Sequence, residues 1–276
     1  MRYFFILYLA SLFCIENIQA QRNIDINDVS MLDMPDGRRF VYEKDTVKAP
    51  LEGRVYLIDG MSGYIDAGFK DGYAVGKWNI YKKSNLIESM FYDDGYLDGE
   101  YIELSAYGNI RTLGYYRKGK KNGSWDEFYE SGDKNKTCTY EDGDKILQIY
   151  YNTDGSIRSE QEFKNGDKNG VYRLYSYPDH LLKIERNFVD GTLVGKQFIW
   201  YTSNLNDYYQ YSNYNEFGKL DGDFSEIYID TKNVKTKGQY KNGRQMGKWI
   251  YGEPNGTIYQ QNTYDNDGRL IESKKF

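Results

Sequence analysis

A pair of glycines four residues apart, followed by a large side chain, returns at a near-constant interval along this chain. The first glycine stands at Gly72, Gly95, Gly119, Gly143, Gly166, Gly191, Gly218 and Gly243. Successive steps are 23, 24, 24, 23, 25, 27 and 25 residues. A steady period in this range marks an array of one supersecondary unit, which must stack on its neighbours to bury a face. The second glycine stands at Gly76, Gly99, Gly123, Gly170, Gly195, Gly222 and Gly247, with Leu147 in that place in one unit. Gly53 fits the second glycine of a partial first unit. Two residues on come Trp78, Tyr101, Trp125, Tyr172, Phe224 and Trp249, Gln197 being the exception. Three residues before the first glycine stand Phe69, Tyr92, Tyr116, Tyr140, Phe163, Phe188 and Tyr240; in the unit with the longest step the ring has slipped to Tyr214.

A second mark falls nine residues after the second glycine: Asn85, Gly108, Gly132, Asp179, Asn204 and Gly256, with Gly155 one place short. These residue types tolerate a left-handed backbone at a turn. Each period thus holds two turns and two runs rich in Tyr, Phe, Trp, Ile and Thr, which suit a pleated strand. The expected fold is all-β, an elongated array of antiparallel β-hairpins. Gly-x-x-x-Gly is expected to bound a tight reversal, with a glycine at φ > 0 in a type I turn closed by a bulge. Alanine there would cost about 1–2 kcal/mol. The rings are expected to form an apolar ladder, one per unit, because a lone hairpin is marginal in water. Trp125 and Phe128 would point to opposite faces of a regular strand. Either a bulge re-aims one, or both faces carry rings.

Asn242–Trp249 (NGRQMGKW), Lys118–Trp125 (KGKKNGSW) and Lys164–Tyr172 (KNGDKNGVY) carry a family resemblance. This pattern resembles the MORN-repeat family, specifically its bacterial variant branch, labelled YwqK-like antitoxin. The resemblance covers roughly residues 51–276. It implies a twisted antiparallel sheet of stacked hairpins, and scaffolding or binding rather than catalysis.

The rest of the chain divides around that array. Residues 1–20 read as a secretory signal: Met1-Arg2 is charged, Tyr3 to Phe13 is apolar but too short to span a bilayer, and Ala20 precedes Gln21 as the cleavage point. The expected location is therefore outside the cytoplasm: periplasm, cell surface or medium. Phe13 before Cys14 does not fit a lipobox. Residues 21–50 read as a poorly ordered leader in which Arg39–Tyr42 forms a strand capping the array, since terminal repeats are often atypical. Residues 51–276 form one repeat domain. Hydrophobic content of 39% and mean hydropathy of −0.79 fit a wet, thin sheet better than a compact globule. Net charge is −5 with both signs scattered, so no basic stripe is expected, and neither nucleic acid nor an anionic lipid surface is the expected partner. Lys118-Gly119-Lys120-Lys121 reads as solvated charge at a turn.

Catalytic and metal chemistry is poorly provided for. His180 is the only histidine and sits in a turn sequence; Cys138 is the only cysteine after the signal and reads as a small strand residue. No nucleophile with base and orienting acid is visible, and His and Cys are too few for a usual zinc site. Gly191–Lys196 has the wrong spacing for a phosphate loop. Asp265–Gly268 has Lys274 where a calcium loop needs an acid. Asp93-Asp94 and Asp221/Asp223 lie at repeat turns. No cofactor is expected. Two functions remain: a protein-interaction or structural scaffold, and a carbohydrate or cell-wall binding module using exposed rings. Rings exposed in line, such as Tyr101, Phe128, Tyr129, Tyr172 and Tyr175, would favour the second. Trp78, Trp125 and Trp249 are expected to be buried.

Overall fold

The computed structural model describes residues 21–45, 47–202 and 206–276. The signal segment with Cys14 and Ala20, and the turn residue Asn204, lie outside the described residues. The N-terminal part forms β1 (Arg22–Asp25), β2 (Val29–Asp33) and β3 (Arg39–Glu43). Then follow β4 (Gly53–Asp59), β5 (Gly63–Lys70), β6 (Tyr73–Lys82), β7 (Asn85–Asp93), β8 (Tyr96–Leu104) and β9 (Ile110–Arg117). The middle holds β10 (Lys120–Phe128), β11 (Lys134–Glu141), β12 (Asp144–Tyr151), β13 (Ile157–Lys164), β14 (Asp167–Tyr175), β15 (Leu182–Val189) and β16 (Thr192–Tyr201). The last are β17 (Tyr208–Tyr214), β18 (Gly222–Tyr228), β19 (Val234–Lys241), β20 (Arg244–Gly252), β21 (Ile258–Tyr264) and β22 (Leu270–Lys275).

From β4 to β22 each strand pairs antiparallel with the next, which makes one elongated sheet of 22 strands with no closure into a barrel. The first glycine of each pair closes a two-residue turn. Asp71-Gly72, Asp94-Gly95, Lys118-Gly119, Asn165-Gly166, Asp190-Gly191 and Asn242-Gly243 all have two consecutive positive φ angles, as a type I′ turn demands. The type I turn with a bulge lies at the other end of the hairpin instead. There Gly108 N–H donates to the Ser105 carbonyl at 3.0 Å, with Gly108 at φ 84°. Gly218 follows this second pattern too, its N–H bonding Asn215 O. Asn85 is not in the turn; Lys83 and Ser84 take the left-handed positions and Asn85 begins β7. Likewise His180, not Asp179, is left-handed.

The second glycine lies inside a strand, at a bulge. In β10 three residues, Gly123 to Trp125, stand against Gly114 alone, because Asn122 pairs Tyr115 and Asp126 pairs Leu113. The same three-against-one count recurs in β6 opposite Ala67 and in β20 opposite Gly238. Gly76, Gly123, Gly195 and Gly247 have φ of 67°, 68°, 66° and 59°, and Gly99, Gly170 and Gly222 are positive as well. Such a bulge bends the strand and turns the next side chain over its neighbour. Phe128 stays on the face opposite Trp125, because the extra residue at its end, Asn135, is on the partner strand. Both faces therefore carry rings.

The N-terminal segment is not a loose leader. β1 pairs parallel with β4, and β2 and β3 form a hairpin. β3 runs across the turn row: Val41 N–H bonds Gly72 O at 2.7 Å and Arg39 N–H bonds Gly95 O at 2.8 Å. Phe40 stacks edge-on against Tyr73, with centroids 5.2 Å apart. Ile24, Val29 and Val41 join Leu51, Leu57, Phe69, Trp78 and Tyr92 in one buried cluster. The segment orders because the array offers it unpaired turn carbonyls and an apolar face. The turns also bond one another: Gly95 N–H reaches Ala74 O and Gly119 N–H reaches Leu97 O, at 2.8 and 2.7 Å.

Candidate functional site

The inner face is the one that carries Trp78, Trp125 and Trp249, all at most 4% exposed. Each indole lies over a small residue eleven positions earlier: Ala67, Gly114 and Gly238. A methyl group added at Gly114 or Gly238 would overlap the indole. The Trp78 and Trp125 Nε1–H groups donate to Gly68 O and Tyr115 O, both at 3.1 Å. The rings three residues before the first glycine wall each indole. Phe69 and Tyr92 flank Trp78 at 5.1 and 4.7 Å, and Tyr116 and Tyr240 stand edge-on to Trp125 and Trp249 at 4.9 Å. Tyr101 leans on Trp125 and Phe224 on Trp249. Burial raises the Tyr92 hydroxyl to about 12 and pushes Tyr101 up as well. These rings hold the fold together and offer no platform to a ligand.

Between Trp125 and Phe224 the same row changes character. Register carries it through Cys138, Gln148, Gln161, Tyr172 and Arg186, and on to Gln197 and Ser212. Gln161, Gln197 and Ser212 are buried. Gln161 Nε2 donates to Glu162 O at 2.8 Å and Gln197 Nε2 to Val194 O at 2.9 Å. Their Oε1 atoms, and Ser212 Oγ, are buried without a protein partner. Such atoms cost about 1–3 kcal/mol each unless something bonds them. Gln161 borders a cleft of about 130 Å³ with Gln148, Phe163, Lys168 and Tyr172. Gln197 and Ser212 border another of about 440 Å³ together with Lys196 and Asp223, at the bulge where Gly222 to Phe224 stand against Ser212 between the Tyr211–Ser225 pair and the Asp221 N–H bond to Asn213 O. That opening falls in the unit with the longest step.

A second row, nearer the turns, alternates rings with lysines. Lys121 Nζ is 3.9 Å from the Trp125 ring centre, Lys145 Nζ 3.9 Å from Phe163, and Lys168 Nζ 5.3 Å from Phe188. The equivalent residues at the N-terminal end are Ala74 and Leu97, and further on Leu193 and Leu220. With Arg186 of the first row these lysines give one face a run of positive charge, where the scattered sequence charges suggested none. Lys121 thus belongs to the inner face rather than to a solvated turn. None of the four cations has a carboxylate within ion-pair distance among the described residues.

The outer face has its own ring cluster. Phe198 and Trp200 of β16 face Tyr211 and Tyr209 of β17, with ring centres 5.4 and 5.7 Å apart. They line a shallow cleft of about 530 Å³ with Leu181, Leu182 and Glu185. Lys183 Nζ sits 3.0 Å from the Trp200 ring centre. Beside them Arg173 bridges Glu160 and Glu185 at 3.0 and 2.7 Å. The rings proposed to stand in line do not: Tyr101 and Tyr172 are on the inner face, Phe128 and Tyr175 on the outer, all half-buried.

The remaining candidate residues are dispersed. His180 is exposed, 3.6 Å from Asp154. Cys138 is buried, and burial pushes its thiol pKa up. Asp221 accepts from Asn242 N–H and pairs with Lys241, which lowers its pKa; Asp223 accepts from Gln239. Gly191 and Gly195 belong to the common turn and bulge. Gln21 bonds Asp66. Among the described residues no group of His, Cys, Asp or Glu is placed to hold a metal, and no helix is long and apolar enough to cross a membrane.

The sequence reading missed Trp200 and both rows of the inner middle. Trp200 lay outside the glycine frame, and its signal was the alternation Phe198, Trp200 opposite Tyr209, Tyr211. The lysine row was visible as Lys121, Lys145 and Lys168, each two residues after a first glycine. No protein-family model matches the chain, and no curated protein is similar to it.

Proposed function

We propose that this chain is an exported, non-enzymatic repeat protein of the MORN-like kind, a scaffold that docks a protein partner. The observation that carries this is the outer cluster of Phe198, Trp200, Tyr209 and Tyr211. Large rings gathered on an open face, rather than sealed in the ladder, are what protein-binding hot spots are made of. A sheet of stacked hairpins presents them on a semi-rigid support. Export rests on the apolar run Tyr3–Phe13 and the Ala20/Gln21 junction. Its test is the mass of the protein recovered outside the cytoplasm, which should begin at Gln21; a chain retained inside with Met1 intact would end the export reading.

A second reading is a carbohydrate-binding module, favoured by the buried, unbonded amide oxygens of Gln161 and Gln197. The two readings use opposite faces. Immobilised protein and its W200A/Y209A variant should be offered envelope proteins and, in parallel, insoluble cell-wall polysaccharide. Capture of one defined protein by the wild type and not by the variant supports docking. Equal capture by both removes the outer cluster from the account.

A further inference from the structure

We propose that the polar middle of the inner face binds an acidic polysaccharide, a sugar chain bearing carboxylates, laid along the array across β10 to β17. This rests on the carbohydrate reading and is independent of the outer ring cluster. Lys121, Lys145, Lys168 and Arg186 put positive charge on this face with no carboxylate partner among the described residues. In the same stretch Glu160 and Glu185 stand on the opposite face, bound to Arg173. An anionic occupant is therefore complementary, although the whole chain carries net charge −5.

The hydrogen-bond inventory narrows the occupant further. Gln161 and Gln197 each donate one amide N–H to a backbone carbonyl, and each presents a buried oxygen that needs a donor. Hydroxyl groups supply one, and Ser212 Oγ can exchange bonds with the same chain. Strands lie about 4.8 Å apart, so the lysines recur about every 10 Å. A sugar residue in an extended chain advances by close to one strand spacing, which places one charge on every second residue over each lysine. Nucleic acid fits less well, because the lysine ammoniums already cover the rings on which bases would stack. An acidic peptide would find a sheet face, with no free edge to extend.

The test is retardation of the purified chain in gels containing polygalacturonate, with titration of polygalacturonate oligomers. The wild type should be retarded, and K145Q/K168Q should lose affinity by about tenfold. Q161L/Q197L should lose about fivefold while melting close to the wild type, since removing an unbonded buried oxygen at each site offsets the loss of one amide–carbonyl bond. W200A/Y209A should bind the polymer as the wild type does. No retardation overturns the proposal, and so does unchanged binding by Q161L/Q197L accompanied by equal affinity for polyglutamate, which would mean generic attraction of anions. Unfolding of Q161L/Q197L would make the amides structural and overturn it as well. Tighter binding of single-stranded DNA would replace the sugar with a nucleic acid. Retention on neutral galactan alone would remove the acidic assignment and leave the carbohydrate reading standing. Loss of polymer binding with protein capture intact would leave the docking scaffold untouched.

Discussion

Trp78 and Gln197 occupy the same place in two copies of one unit. Each stands two residues after a second glycine, at the end of a three-against-one bulge, facing the inner side of the sheet. Trp78 lies over Ala67, is walled by Phe69 and Tyr92, and completes a cluster to which the N-terminal segment adds Ile24, Val29 and Val41. Gln197 stands opposite Arg186, a far larger side chain than Ala67, and its oxygen is unbonded. From β12 to β19 no apolar side chain is fully buried among the described residues, whereas Gln161, Gln197 and Ser212 are. One backbone plan thus supports two kinds of interior. Where the seat is small, a ring seals the face. Where it is large and polar, no ring seals the face.

Removing a sealing ring should have the largest effect. Trp78→Ala should cost about 3–5 kcal/mol in urea unfolding, as full burial of an indole implies. A cost below that of an ordinary surface substitution would erase the contrast with Gln197. Filling a seat should come next: Gly114→Val or Gly238→Val should cost about 1–3 kcal/mol, because the indole above cannot move without disturbing its flanking rings. The reverse design sharpens the rule. Gln197→Trp alone should destabilise, while Arg186→Gly/Gln197→Trp should recover or exceed wild-type stability by about 1–2 kcal/mol, from the area an indole buries. If the double variant is no better than the single one, seat size does not decide ring against amide. Gln197→Leu should be within about 1 kcal/mol of the wild type or above it, since an unbonded buried oxygen is lost.

The smallest effect is with pH. The Tyr92 hydroxyl titrates near 12 in the folded chain against an ordinary 10.0, raised by burial. A folded pKa above the unfolded one contributes stability that is complete below the unfolded value. That stability is lost as pH rises from about 10 towards 12. Tyrosinate absorbance should therefore lag in the wild type, and alkaline unfolding should begin in that window. Half-ionisation of Tyr92 near pH 10 in a folded chain would place it in water.

Much of this was legible in the residues. The spacing of Gly72, Gly95, Gly119 and their successors gave the unit, its strands and its stacking. The burial of Trp78, Trp125 and Trp249 followed from their recurrence. The glycine geometry is half legible: the residues mark the reversal, but Asp-Gly and Asn-Gly form type I′ rather than type I turns, and the second glycine stands at a bulge rather than in the turn. The strand expected at Arg39–Tyr42 forms as β3, but the ordering of residues 22–33 was hidden, since this segment is held by β4 and by the β2–β3 hairpin that crosses the turns of distant units. Tyr73 and Tyr96, one residue after Gly72 and Gly95, were the available signal; later units have Lys120, Asp144 and Asp167 there. Cross-strand neighbours such as Arg186 under Gln197 depend on register through a bulge, which no local pattern states.

The most direct test of the account is native-state hydrogen exchange resolved strand by strand. Sealed rings should make β5–β7, β9–β11 and β19–β20 exchange slowly, and the open interior should make β13–β17 exchange faster in the absence of ligand. Uniform protection from β4 to β21, or slowest exchange around Gln161 and Gln197, would contradict the division of the array into ring-sealed and polar stretches.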